Sequence, residues 1–268
     1  MKAWGLALAA LSAILTAPAG AQLLDEEPPG LLEAQRDERP KIAIVVDDLG
    51  LDWARFRSSN QLPVPVTLAF LPYGRDAQAM LDSADPRHGI ILHMPMEPKT
   101  RKHDAGPGMV RRGPTQRVKK DVETNLGKLS GYDGVSNHTG SAITEDRGAM
   151  GAVLSTVTAR DLYFLDSKTT PRSTARSVAS KSSAVVIEGS LFLDGDFGRG
   201  GSQHVTRQLD RLLDIAEHEG SAIGIGHPYP TTLSAISDWV DAHADDVRFV
   251  TADMLAADAR LERLQAGI

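Results

Sequence analysis

No cysteine occurs in the chain, which excludes disulfides, thiolate metal ligands and a cysteine nucleophile. Any bound metal must therefore be held by nitrogen and oxygen. Positive charge is also in deficit. The formal net charge is −6, which argues against a general nucleic-acid binder. There is no phosphate-loop string and no GxSxG elbow, so Ser141 or Ser167 can serve as a nucleophile only beside a base that the linear order does not reveal. No apolar run reaches the roughly 18 residues of a membrane-spanning helix.

What is present suits a soluble α/β protein. With 268 residues, 41% of them hydrophobic, the chain can bury one large core or two small ones. The beginning reads as a secretory leader over residues 1–21: Lys2, an apolar stretch from Ala3 to Ala17, Pro18, and the small residues Ala19, Gly20 and Ala21 before Gln22. Without a following cysteine a lipid-anchored form is excluded, and export to the periplasm is expected. The membrane is then met only through this leader if it stays uncleaved. Residues 22–40 are acidic and carry Pro28, Pro29, Gly30 and Pro40, a composition expected of a disordered tether. Residues 41–268 form the expected folded domain.

From Lys41 onward, short β-branched runs alternate with helical patterns. Strands are expected at Ile42–Val46, Val64–Phe70, Gly89–Leu92, Gly134–Ser136, Leu162–Leu165, Ala184–Ile187, Ser221–Ile225 and Arg248–Val250. Between them lie helices over about 75–84, 116–129, 146–159, 203–219 and 232–243. Continuous apolar runs suit strands buried on both faces, and the alternation implies a parallel sheet with right-handed crossovers. The expected fold is α/β, a distorted single-domain (β/α) barrel of about seven parallel strands. An open doubly wound sheet is the alternative.

Polar residues gather just after the apolar runs: Asp47, Asp48, His93, Asn137, His138, Asp166, Asp194 and His227. In a parallel barrel these are C-terminal strand ends, where active sites are built. Adjacent strand residues face opposite ways, so Asp47 and Asp48 can share a site only where the strand is ending. One can then bind a cation while the other takes a proton; as a turn or helix-cap pair they would do neither. His93 precedes Glu97 by four residues, both suitable ligands for a borderline ion such as zinc, but Pro95 and Pro98 make a helical pairing untenable. Glu97 can equally brace a loop. Asn137 lies in a turn whose backbone N–H groups can meet an oxyanion, or it simply holds that turn. His227, between Gly226 and Pro228, can protonate a leaving group. Asp166 and Asp194 fit either a site or a structural role. The segment Lys99–Lys120 has eight Lys or Arg and no aromatic residue, as in a solvated loop or one that receives an acidic glycan.

The strings IAIVVDDLG, ILHMPMEP, GVSNHTGS, YFLDSKT, SLFLD and AIGIGHPYP, in this order from about Lys41 to Ala256, resemble the divergent polysaccharide deacetylases. The resemblance implies a distorted (β/α) barrel and metal-assisted removal of acetyl groups from N-acetylated sugars, with peptidoglycan among the glycans implied. By position, Asp47 resembles the catalytic base, Asp48 its metal-binding partner and His93 the first ligand histidine. The second ligand histidine of the superfamily would fall at Glu97. Either Glu97 or His138 completes the metal triad, with His138 preferred. His227 resembles the late-strand general acid, and Asp166 occupies a comparable strand end although the RxPY and DxxDW strings are absent. Zinc is the implied ion. Two other readings remain: a non-catalytic envelope module binding glycan or protein, and another metal-dependent amidase or esterase.

Overall fold

Strand β1 (Lys41–Leu49) is buried on both faces for most of its length, as its IAIVV run requires. The computed structural model describes residues 37–100, 105–195 and 200–266. The expected leader and most of the tether lie outside the described residues. Among the described residues, β1 is joined by β2 (Thr67–Phe70), β3 (Gly89–Met96), β4 (Gly134–Thr139), β5 (Tyr163–Asp166), β6 (Val186–Glu188), β7 (Leu191–Phe192), β8 (Ser221–Gly226) and β9 (Arg248–Val250) in one parallel sheet.

The order β6-β5-β4-β3-β2-β1-β8-β7 would leave two edges, but β6 and β7 are successive parts of one extended segment. Its first part pairs with β5, at Ile187 and Leu165, and its last part with β8, at Leu191 and Gly224. The N–H groups of Gly189 and Ser190, between them, donate to Asp166 O and Ile223 O. One segment thus joins the two edges, and the sheet curls into a distorted (β/α) barrel. Strand β9 fills the N-terminal half of the gap beside β1, pairing with Lys41–Ala43, while β2 pairs with the C-terminal half.

Two-residue alternation sorts the side chains. Ala43, Val45, Ala69, Ile91, Tyr163, Leu165, Ile223 and Ile225 pack together inside the barrel. Ile42, Ile44, Leu68, Phe70, Leu92 and Phe164 face outward and pack among the helices. Around the outside run α1 (Trp53–Asn60), α2 (Ala77–Asp82), α3 (Thr115–Leu126), α4 (Ser141–Glu145), α5 (Arg147–Thr158), α6 (Ala175–Ala179), α7 (Gly201–Glu219) and α8 (Pro230–Ala242). Helix α9 (Ala252–Gln265) brings Leu255 and Ala256 to the interior cluster, and Lys41 Nζ pairs with Asp258 Oδ2 at 2.6 Å. No described helix is long and apolar enough to cross a membrane.

Several expected boundaries move for identifiable reasons. Strand β2 starts at Thr67 rather than Val64 because Pro63 and Pro65 lack ladder donors. Strand β3 runs past His93 to Met96; the carbonyl of Pro95 accepts from Val110 N at 2.8 Å. The helix expected to begin at Asp146 starts there with that residue as its N-cap, its carboxylate accepting from Gly148 N and Ala149 N. Helix α1 was not expected. It has no apolar stripe and is nucleated by Asp52, whose side chain accepts from Ala54 N and Arg55 N.

Candidate metal centre

The interior alternation that buries Val45, Ile91 and Ile225 places Asp47, His93 and His227 one step further along the same strands, at the C-terminal mouth. Asp48 should face the other way. It is turned back because β1 slips register between Val46 and Leu49 and Asp48 takes a left-handed φ of 60°. This bulge lets adjacent carboxylates share one site before the strand ends, where simple alternation forbids it. A left-handed aspartate costs roughly 1–2 kcal/mol, a strain that persists here at the centre of the cluster.

Three ligand atoms form a small triangle. Asp48 Oδ1 lies 3.4 Å from His93 Nε2 and 2.9 Å from His138 Nδ1, and the two nitrogens are 3.3 Å apart. Donor atoms this close together suit ligands of one small divalent ion, and Asp48, His93 and His138 are the side chains that would hold it. Despite its closeness to His138, Asp48 Oδ1 is buried and has no hydrogen-bond partner. Asp47 Oδ1 is likewise buried and unpartnered, and its Oδ2 lies 3.5 Å from His93 Nε2. Such orphaned oxygens suit a cation and the water beside it.

His227 faces the triangle from the residue that follows β8. Its Nε2 is 3.8 Å from Asp48 Oδ2, and its Nδ1 is 3.0 Å from Asp194 Oδ1. The other oxygen of Asp194 accepts from His227 N at 2.6 Å and Thr232 Oγ1 at 3.2 Å. The imidazole is flanked by Phe192, stacked at 6.4 Å, and by the tilted ring of Tyr229 at 5.8 Å.

Electrostatics separates the two aspartates. Burial raises Asp47; the opposing pull of His93, His227 and His138 is too weak to cancel it, and the Asp48 charge adds to the rise. Burial also pushes Asp48 upward, but His138 and His93 outweigh it and hold its carboxyl well below the usual range. For His227 burial favours the neutral ring, yet the bond and charge of Asp194, with the charges of Asp48 and Asp47, push it up to about 9.

The remaining candidates lie outside the triangle. Glu97 Oε2 accepts from Arg112 N at 2.8 Å and thereby braces the loop leading to α3. Asn137 ties two strand ends together, accepting from Ser167 N at 2.9 Å and donating to Thr139 O at 2.6 Å. Asp166 lies on the outward face with Phe164 and accepts from Lys168 N at 2.9 Å; burial raises its pKa. Sequence reasoning overlooked Ser136, whose Oγ is 2.7 Å from His93 Nδ1, and Thr232. The signal for Ser136 was its place two residues before His138 on the same strand face.

Residues 44–256 match the divergent polysaccharide deacetylase family. The chain belongs to that family. Among curated relatives of this deacetylase-family chain, the uncharacterized protein YibQ of Escherichia coli K12 is 28% identical over 230 residues, covering 83% of this chain and 69% of that protein. An uncharacterized protein of Haemophilus influenzae Rd is 29% identical over 213 residues, covering 78% and 74% respectively. The crystal structure of an uncharacterized Agrobacterium tumefaciens C58 protein superposes with a TM-score of 0.75 at 28% identity, covering 81% of this chain and 89% of that one. The Agrobacterium protein and this chain share one fold.

Proposed function

We propose that this divergent polysaccharide deacetylase-family protein is a metal-dependent hydrolase that removes acetyl groups from N-acetylated glycans of the cell envelope. The observation that carries the reading is the triangle of Asp48 Oδ1, His93 Nε2 and His138 Nδ1, with edges of 2.9–3.4 Å. These three side chains would hold a divalent ion, with zinc the best match to two imidazoles and a carboxylate. Such an ion, when bound, polarises an acetyl carbonyl and makes a water acidic enough to attack near neutral pH.

The rest is done by the chain's own groups. Asp47, buried and raised in pKa, takes a proton from the attacking water at its unpartnered Oδ1. His227, oriented through Nδ1 by Asp194, presents Nε2 toward the mouth and gives its proton to the departing amine. Phe192 and Tyr229 supply apolar walls beside that imidazole, suited to the faces of a sugar ring. Export to the periplasm, supported by the leader-like residues 1–21, would bring the mouth to peptidoglycan.

The test is metal content and acetate release from N-acetylated oligosaccharides and from peptidoglycan. Wild-type protein should carry about one ion per chain and release acetate, and Asp48→Ala should lose both together. Hydrolysis that persists in Asp48→Ala after chelation would overturn the metal role. Glycan binding without any acetate release would favour an envelope-binding module instead.

A further inference from the structure

The least accessible member of the triangle is held from behind. His93 Nδ1 lies 2.7 Å from Ser136 Oγ, with His93 at 2% exposure and Ser136 at none. The two residues face each other across the paired strands β3 and β4, so the ladder itself sets their approach. The opposite nitrogen, Nε2, faces Asp48 and His138. An imidazole gives a lone pair to a cation through one nitrogen only when the proton resides on the other.

We infer that Ser136 is a positioning residue for His93: its hydroxyl accepts the Nδ1–H and keeps the Nε2 lone pair aimed at the cation position. The inference rests on the metal-dependent reading above. His138 provides the contrast. Among the described residues nothing bonds its Nε2, and its side chain is 17% exposed, so solvent can satisfy that atom. His93 has no such access, and the hydroxyl stands where water cannot.

The choice of serine also has a physical reason. Carboxylates commonly fill this role behind ligating histidines. Here a carboxylate would add a third acidic group beside the buried Asp47 and the half-buried Asp48. A hydroxyl adds no charge and can either donate or accept. Without a cation it can donate to Nδ1 while Nε2–H faces the two aspartates. With a cation the bond reverses, and the ring changes tautomer without turning.

The experiment is a cobalt(II) titration of the purified protein followed by visible absorption, with zinc competition and nitrogen-15 imidazole NMR of the zinc-loaded form. Ser136→Ala should weaken metal affinity roughly 10–100-fold, while the melting temperature of the metal-free protein stays near wild type. The His93 Nδ1–H signal, protected in wild type, should exchange rapidly in the variant. Ser136→Thr, which keeps the hydroxyl, should recover affinity to within a few-fold. Equal affinity in wild type and Ser136→Ala would overturn the assignment alone, as would an equal loss in Ser136→Thr. A wild type that binds no cobalt or zinc would overturn the metal reading and the assignment with it.

Discussion

Replacing Asp194 by Asn removes one charge from behind His227 while keeping the shape. The carboxylate serves three donors: His227 N at 2.6 Å, the ring Nδ1 at 3.0 Å and Thr232 Oγ1 at 3.2 Å. The amide oxygen of Asn can retain the backbone and threonine bonds. Its NH2 group then meets Nδ1, favouring the neutral tautomer with the proton on Nε2. A charge-assisted hydrogen bond contributes roughly 1.5–3 kcal/mol. At about 1.4 kcal/mol per pKa unit, its loss should lower the His227 pKa by about one to two units. The starting point in the metal-free protein is about 9, with burial pulling downward and Asp194 the leading upward influence. The variant should therefore titrate at about 7 to 8. NMR of the imidazole in metal-free protein reads this directly. In turnover, the alkaline limb of the rate profile should move down by the same interval, since any cation is common to both proteins. An unmoved midpoint in Asp194→Asn would refute the claim that this carboxylate sets the protonation of His227.

Two further outcomes test neighbouring parts of the argument. Glu97→Ala should leave cobalt affinity within about two-fold of wild type while raising proteolysis after Val110, because Glu97 holds Arg112 N rather than the cluster; a ten-fold loss would make Glu97 a ligand. His88 should impose a pH dependence on stability. Its Nδ1 accepts from Val66 N at 3.2 Å, and burial lowers its pKa despite the opposing Asn60 carbonyl. The unfolded chain therefore takes up the proton first. This contribution is complete above about pH 6.5 and is lost as pH falls toward the lower folded value. His88→Phe should lose about 1–3 kcal/mol at pH 7.5 from the unpaired Val66 N–H, and the gap to wild type should narrow by pH 5. A gap constant across that range in chemical denaturation would contradict the assignment.

The barrel was legible because strands buried on both faces must be apolar along their whole length. IAIVV in β1 and AIGIG in β8 leave little alternative. Helix α1 was not legible, since only Trp53 and Phe56 are large apolar residues in it and its start depends on the Asp52 cap. Candidate ligands could be proposed because each follows such a run. Periodicity alone could not choose between Glu97 and His138 as the third ligand, a choice on which the family resemblance preferred His138; in the fold Glu97 bonds a loop while His138 stands beside Asp48 and His93. A carboxylate four residues from a histidine has no intrinsic direction once Pro95 keeps the strand extended.

The order of apolar runs and the polar residues that end them determined the parallel architecture and named the residues from which a cation site could be assembled. Only the tertiary structure decided which of them converge. A register slip and a left-handed Asp48 turn two neighbouring carboxylates to one mouth, and one extended segment joins the barrel's edges. Both depend on contacts between residues far apart in the chain, which local periodicity does not encode.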